Sequence, residues 1–222
     1  MLATAEVPGT TLRLIPSQFP PIATFDVVTS ASDLQDVMEL EGWTNDRLVV
    51  ERLDRLPRGQ WVFGVPNASI VMASFLHVSP DGMRFNTGAL GAWYAALALS
   101  TAAAEVAHHL RREAVFRRRR EIRRKYRTYA ATLDGSYVDI RGPGAGHQDA
   151  LSPGSYAASQ SLGETIRASA HAGIIYDSVR HDGGTCVVAY RPRNVRDVTL
   201  GAHYEITAPV EGRIVVRTLN RS

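Results

Sequence analysis

One acidic residue stands out by its position in the sequence. Glu105 is the only acid between Asp81 and Glu113, and it interrupts an alanine-rich stretch of high helical propensity. A carboxylate on the buried face of such a helix costs free energy unless it has a partner or a task. A carboxylate can accept hydrogen bonds from hydroxyl groups and stabilise positive charge that develops in a transition state. We therefore take Glu105 as the candidate catalytic residue.

Two histidines follow this glutamate at helical spacing. His108 and His109 lie three and four residues after Glu105, a spacing that can place metal ligands on one face of a helix. The other five histidines are scattered singly, and no second histidine–carboxylate pair has the usual metal-binding spacing. We therefore expect no metal site. A Ser/His/Asp hydrolase is also disfavoured, because the sequence contains no Gly-x-Ser-x-Gly motif.

The basic residues are not evenly spread along the chain. Eight residues between Arg117 and Arg127 are basic, and we call this segment the basic cluster. The net charge of the whole chain is only +3. Such a cluster can bind nucleic acid, with Tyr126 and Tyr129 as stacking partners, and a nucleic-acid-binding module is therefore the alternative function. The 22 acidic residues of the chain favour instead a solvated face or a docking surface for an acidic partner.

Composition bounds the remaining possibilities. A chain of 222 residues with 45% hydrophobic residues fits one domain with a real core. No run of about 18 apolar residues is present, and the N-terminus lacks the basic and apolar regions of a signal peptide, so we expect a cytoplasmic protein without a membrane segment. The single cysteine, Cys186, lies in an apolar stretch, and we expect a buried structural thiol.

Helices and strands are mixed without a regular βαβ alternation or an internal repeat, which indicates an α+β fold. Helices are predicted at residues 34–42, 97–114 and 156–168, and Ser100 or Thr101 is the expected N-cap of the second. Strands are predicted at residues 11–15, 69–78, 129–140, 173–178, 185–190 and 213–219. No family motif is found after about Asn194.

Four segments resemble, in order and spacing, the RES domain, a family named for its arginine, glutamate and serine. They are Leu-Arg-Leu-Ile at 12–15, Met-Arg-Phe-Asn at 83–86, Trp-Tyr-Ala-Ala at 93–96 followed by Thr-Ala-Ala-Ala-Glu at 101–105, and Gly-Ile-Ile-Tyr-Asp-Ser-Val-Arg at 173–180. Tyr-Ala-Ala-Ser-Gln at 156–160 also fits the helix before the family's serine. The resemblance spans about residues 10–195, and its specificity comes from the order of the motifs rather than from any one of them.

The resemblance implies a core like that of ADP-ribosyltransferases, a mixed β-sheet with flanking helices, in a single domain of residues 1–222. It implies the toxin of a bacterial toxin–antitoxin pair, an enzyme that consumes NAD⁺ by breaking the nicotinamide–ribose bond or that transfers ADP-ribose to a protein. Arg13, Arg84, Tyr94, Glu105 and Ser178 would line the NAD⁺ site, with Glu105 and Arg13 as catalytic residues. NAD⁺ is then a substrate, and no cofactor is expected.

Each of these residue types suits one part of NAD⁺. Arg13 and Arg84, expected on neighbouring strands, would clamp the pyrophosphate, because a guanidinium can hold a phosphate by two hydrogen bonds. Glu105 would stabilise the positive charge on the ribose as nicotinamide leaves. Tyr94 would stack on nicotinamide, and the hydroxyl of Ser178 would hold the amide or the ribose. Water, phosphate and a protein side chain remain open as the acceptor of ADP-ribose.

The resemblance also implies a partner. RES toxins pair with an antitoxin that has an Xre-like DNA-binding region and blocks the NAD⁺ pocket, so a hetero-oligomer is expected. The complex, rather than this chain alone, would bind operator DNA, and no membrane partner is expected.

Overall fold

The fold is organised around one large mixed sheet. The computed structural model describes residues 2–18, 24–30, 32 and 47–219. Its strands are β1 Thr4–Ala5, β2 Thr11–Pro16, β3 Trp93–Ala96, β4 Glu121–Leu133, β5 Tyr137–Asp139, β6 Gly173–Asp177, β7 Thr185–Ala189, β8 Val195–Pro209 and β9 Val215–Leu219. In space they follow the order β1-β5-β6-β7-β3-β2-β4-β8-β9. The α+β architecture expected from the sequence is confirmed.

Strand β2, from the N-terminal part of the chain, lies near the middle of this sheet. It pairs antiparallel with β3, where Leu12 lies opposite Ala96, and with β4, where Arg13 lies opposite Tyr129. The pairing of β5 with β6 is parallel, whereas the other neighbouring strands in the described ranges are antiparallel. The sheet therefore brings segments that are distant in sequence next to one another.

Helices cover both faces of the sheet. They are α1 Thr24–Val27, α2 Arg47–Asp54, α3 Ala68–Leu76, α4 Leu99–Phe116 and α5 Ala157–Ala168. Successive side chains of a strand point to opposite faces. In β7, accordingly, Val187 and Ala189 belong to the core that contains α3, whereas Cys186 and Val188 belong to the core that contains α4 and α5. Within the described ranges no helix has the length and apolar character needed to cross a bilayer.

Helix α4 carries Glu105 and is the longest helix of the described chain. It extends to within two residues of the limits predicted for it, but the prediction of its N-cap was wrong. Ala98 is the N-cap and makes no side-chain capping bond, whereas Ser100 and Thr101 lie inside the first turn. The alanine-rich face packs on the sheet, where Ala103 and Ala107 are buried.

The segment predicted as a strand at residues 69–78 is instead helix α3. Nearly every side chain of this helix is buried, including Ser69 and Ser74. A helix that is buried on all sides has no polar stripe, so its sequence lacks the 3.6-residue period that would distinguish it from a buried strand. The same apolar composition therefore fits both structures.

The remaining predictions have mixed outcomes. The strands at 11–15, 173–178, 185–190 and 213–219 and the helix at 156–168 are confirmed. The single strand predicted at 129–140 is two strands, because β4 ends at Leu133 and a turn with Gly135 at φ 104° precedes β5. The 15-residue strand β8 was not predicted. The helix predicted at 34–42 lies outside the described residues.

Candidate active site

A cavity of about 330 Å³ opens between β2, β3, α4 and the loop of residues 77–92. Arg13, Arg84, Tyr94 and Glu105 all line it. Ser178 does not, but its hydroxyl contacts Glu105. The structure thus brings together the five residues that the resemblance implied, although they lie on five different structural elements.

Arg13 enters the cavity from the central strand β2. Its Nη1 donates to the carbonyl oxygen of Tyr94 at 2.9 Å, and its guanidinium carbon lies 5.0 Å from the ring centroid of Trp93. Burial lowers the pKa of Arg13 to about 10, so the side chain still carries its charge at neutral pH. Its buried Nε has no hydrogen-bond partner, and no ion pair in the described ranges involves Arg13. A partly buried cation without a carboxylate partner among the described residues favours a bound anion.

Arg84 reaches the same cavity from a loop, so the expectation that it lies on a strand next to Arg13 was wrong. Its Nη1 donates to the carbonyl oxygen of Ser152 at 2.8 Å, and its guanidinium carbon lies 4.9 Å from the ring centroid of Tyr156. Only 8% of the residue is exposed, and it too has no ion pair within the described chain. Arg84 is therefore held in place by carbonyl and aromatic contacts that leave its charge uncompensated.

The loop that carries Arg84 is held by helix α5. Nε2 of Gln160 lies within hydrogen-bonding distance of the carbonyl oxygens of Asp81, Met83 and Asn86, at 2.8, 3.1 and 3.3 Å. One turn later, Glu164 accepts a hydrogen bond from the backbone N–H of Thr87 at 2.8 Å. These bonds fix a segment that has no regular secondary structure of its own, and they thereby fix the position of Arg84.

Tyr94 contributes its ring to the wall of the cavity, and its hydroxyl to the same loop. The hydroxyl donates to Oδ1 of Asn86 at 2.7 Å and accepts from the backbone N–H of Phe85 at 2.9 Å. Burial raises the pKa of Tyr94 well above its usual value, so the hydroxyl keeps its proton. Because both hydrogen bonds anchor the loop, the hydroxyl is not available as an acid or base, and only the ring is left for stacking.

Glu105 and Ser178 form the shortest polar contact of the site. The Ser178 hydroxyl donates to Oε1 of Glu105 at 2.6 Å, and it also accepts from the backbone N–H groups of Arg180 and His181 at 3.2 and 3.1 Å. The hydroxyl is therefore fully used within the protein. Ser178 orients the carboxylate of Glu105, which then faces the cavity, and this differs from the expected direct contact of Ser178 with the amide or ribose.

A second contact holds the loop of Ser178 against helix α4. Oγ1 of Thr101, one turn before Glu105, lies 2.9 Å from Nδ1 of His181. The loop approaches so closely that a Cβ on Gly184 would lie 2.7 Å from Thr101 Oγ1, which explains a glycine at this position. The geometry of the Glu105–Ser178 pair is thus fixed at two successive turns of α4.

The cavity is also lined by residues for which the sequence predicted no role in substrate binding. They are His109, Tyr156, Tyr176 and Cys186, and Tyr156 belongs to the motif at residues 156–160. The thiol of Cys186 is buried, as predicted, and lies 3.8 Å from Oε1 of Glu105. Burial raises the pKa of this thiol far above its usual value, so it is not a nucleophile at neutral pH. Among the described residues, no three metal-ligating side chains form a cluster.

The basic cluster lies elsewhere, at the end of α4 and the start of β4. Arg117, Arg119, Arg124 and neighbouring residues line an open surface groove of about 700 Å³. Glu113 lies in the same groove and pairs with Arg117 and with Arg124, in each case at 2.9 Å. The tyrosines proposed to stack on nucleic acid are only 3% exposed (Tyr126) and 2% exposed (Tyr129), so that part of the alternative function is wrong.

Comparison with known proteins identifies the family of the chain. A family model described as the RES domain matches residues 52–208, more than half of the chain. The matched range contains Arg84, Glu105 and Ser178, and it begins after Arg13. A protein of Sinorhizobium fredii, the uncharacterized protein y4oC, is 33% identical over 139 residues, which are 58% of this chain and 56% of that protein.

Similarity to a solved structure is also found. A chain of the M. tuberculosis MbcT–MbcA toxin–antitoxin complex superposes with a TM-score of 0.43 and 19% identity, over 57% of this chain and 72% of that chain. The chain spans little more than half the length of y4oC, the curated relative reported above. Because the RES family model matches more than half of the chain, from within α2 to within β8, the chain belongs to the RES domain family.

Proposed function

We propose that this chain is an NAD⁺-consuming enzyme that breaks the nicotinamide–ribose bond and acts as the toxin of a toxin–antitoxin pair. The observation that carries the proposal is a carboxylate held by a serine at 2.6 Å and facing a cavity that also contains two arginines without carboxylate partners. This arrangement offers negative charge at one point and positive charge at two others. NAD⁺ needs both, since it combines an anionic pyrophosphate with a cationic nicotinamide ribose.

The arginines would bind the pyrophosphate. Arg13 and Arg84 enter the cavity from different elements. Each donates to a backbone carbonyl oxygen, and neither forms an ion pair within the described residues. The hydrogen bond of an arginine to a charged phosphate is stronger than its bond to a neutral oxygen, whether of a carbonyl group or of water. The anion would therefore be bound in preference to water. The two side chains would thereby orient the substrate as well as bind it.

Glu105 would act on the bond that breaks. As the C–N bond between ribose and nicotinamide cleaves, its electron pair leaves with nicotinamide, which becomes neutral, and positive charge develops on the ribose. A fixed carboxylate next to that charge lowers the energy of the transition state more than that of the bound substrate. The acceptor then forms the new bond to the ribose carbon, and when water is the acceptor, its proton is released to the solvent.

The family and the proposed activity together suggest a partner. An enzyme that consumes cellular NAD⁺ needs an inhibitor, and we infer a cognate Xre-like antitoxin that forms a hetero-oligomer with this chain and covers the NAD⁺ cavity. NAD⁺ would be met in the cytoplasm, where we place the protein.

The test is to identify the products. Purified protein is incubated with NAD⁺, with and without inorganic phosphate, and the products are identified by mass. ADP-ribose indicates water as the acceptor, ADP-ribose-1-phosphate indicates phosphate, and a mass increase on protein indicates transfer. In cells, expression without the antitoxin is expected to lower NAD⁺ and halt growth. If NAD⁺ stays unchanged during the arrest and no product forms in vitro, the proposal is wrong.

A further inference from the structure

A second cavity, open and about 530 Å³ in volume, adjoins the first. Its wall includes His108, Arg112, Tyr156 and Arg180. Tyr156 lines both cavities and carries the guanidinium of Arg84 against its ring. The two cavities thus meet at Tyr156.

The same two elements form walls of both cavities. Helix α4 contributes Glu105 and His109 to the first cavity, and His108 and Arg112 to the second. The loop after β6 contributes Arg180 to the second cavity, two residues after Ser178 contacts Glu105. A ligand that extends from Glu105 along α4 therefore reaches the second cavity directly.

The second cavity carries an excess of positive charge. Arg112 and Arg180 line it, whereas Asp81 is its one lining carboxylate, and no ion pair in the described ranges involves either arginine. Burial first, and then the positive charges of Arg180 and other neighbours, lower the pKa of His108 to about 4. Arg84 is one of those neighbours, so cations from both cavities act at the place where the cavities meet.

The sizes of the cavities set a limit on what the first one can hold. Ligand pockets span about 300 to 1,000 Å³, and the first cavity, at about 330 Å³, lies near the lower end of that range. It suits one nucleotide rather than two. A dinucleotide whose nicotinamide ribose lies at Glu105 must place its other half outside this cavity.

We propose that the second cavity binds the adenylate half of the dinucleotide, with the pyrophosphate near Tyr156 beside Arg84, and that Arg112 and Arg180 determine the preference for a dinucleotide over a mononucleotide. This inference rests on the proposed function. Arg112 and Arg180 are specificity determinants in it, because they act on the half of the substrate that does not react.

The first experiment compares NAD⁺ with nicotinamide mononucleotide, which has the reacting bond but lacks the adenylate half. Arg112→Gln and Arg180→Gln are each expected to raise the KM for NAD⁺ about tenfold while leaving the KM for the mononucleotide and the kcat for NAD⁺ nearly unchanged. Arg118→Gln, which removes the same charge from an exposed position in the basic cluster, is the control and is expected to change neither. Equal effects on both substrates, or no effect on either, would overturn the inference.

A second experiment does not depend on turnover. Calorimetric titration with ADP is expected to show binding to the unaltered protein, about tenfold weaker binding to Arg180→Gln, and unchanged binding to Glu105→Gln. Absence of ADP binding to the unaltered protein would refute the second cavity as an adenylate site. Binding of ADP without cleavage of NAD⁺ or the mononucleotide would instead refute the proposed function and leave the adenylate site standing.

Discussion

Replacing Glu105 by glutamine tests the centre of the proposed mechanism. Glutamine has the size of glutamate, and its amide oxygen can still accept the hydrogen bond of Ser178, so the contact observed at 2.6 Å can persist. Only the negative charge is lost. Opposite unit charges about 4 Å apart attract by about 4 kcal/mol at an effective dielectric constant of about 20. Each 1.36 kcal/mol changes the rate about tenfold, and the charge on the ribose is partial, so kcat should fall about 10² to 10³-fold.

The assay measures nicotinamide release from NAD⁺, with calorimetry for NAD⁺ binding and circular dichroism for the fold. Binding should change by less than about threefold, because the charge acts mainly in the transition state. Glu113→Gln is the matched control, since Glu113 lies two turns further along α4 and pairs with Arg117 and Arg124 outside the cavity. Turnover by Glu105→Gln near that of Glu113→Gln would refute the role assigned to the carboxylate.

Three further predictions concern the charges around the site. Arg13→Ala or Arg84→Ala should weaken NAD⁺ binding, measured by calorimetry, about 10- to 100-fold. Each variant should lower kcat/KM at least as much, because a phosphate contact acts in both the ground state and the transition state. Unchanged binding would contradict the anion site. Replacing all of Arg117, Arg118, Arg119 and Arg120 by glutamine should leave steady-state NAD⁺ cleavage within about twofold, since none of the four lines the cavity and Arg117 and Arg119 line a separate groove. A large loss of activity in a folded variant would contradict that separation. The pKa of His108 is about 4 in the fold against an ordinary 6.5. Between these values the unfolded chain binds more protons than the folded chain, so the free energy of unfolding should fall as pH decreases from about 6.5 to about 4. Urea denaturation at pH 7 and at pH 5 should therefore show a smaller decrease in the free energy of unfolding for His108→Gln than for the unaltered chain.

The sequence was most informative where the order of the motifs identified site residues, and least informative where packing determines the structure of a segment. The segments around Arg84 and Glu105 were recognised from their residues, and both line the cavity. Arg84 was expected on a strand, yet its segment is a loop, because it is held by Gln160 and Tyr94 rather than by a neighbouring strand. Those bonds join residues about 9 to 77 positions apart and leave no local pattern.

The sequence also did not show which of the aromatic side chains are buried. Tyr126 and Tyr129 follow a run of arginines, so sequence alone suggested an exposed aromatic surface. Both tyrosines lie on β4, an internal strand whose two faces are covered by different cores, with Tyr126 in one core and Tyr129 in the other. The position of a strand within the sheet depends on pairing between distant segments, which a single sequence does not reveal.

The central position of β2 has a consequence for biosynthesis. Arg13 is made before β3 and β4, the strands with which its own strand pairs, and the serine that holds Glu105 comes 165 residues after Arg13. At about 5 to 20 residues per second, the ribosome needs about 10 to 30 seconds to add those residues. Through that interval the residues of the candidate site are not all present in the nascent chain. A protein that binds the emerging chain therefore has that long to reach it before the candidate site is complete.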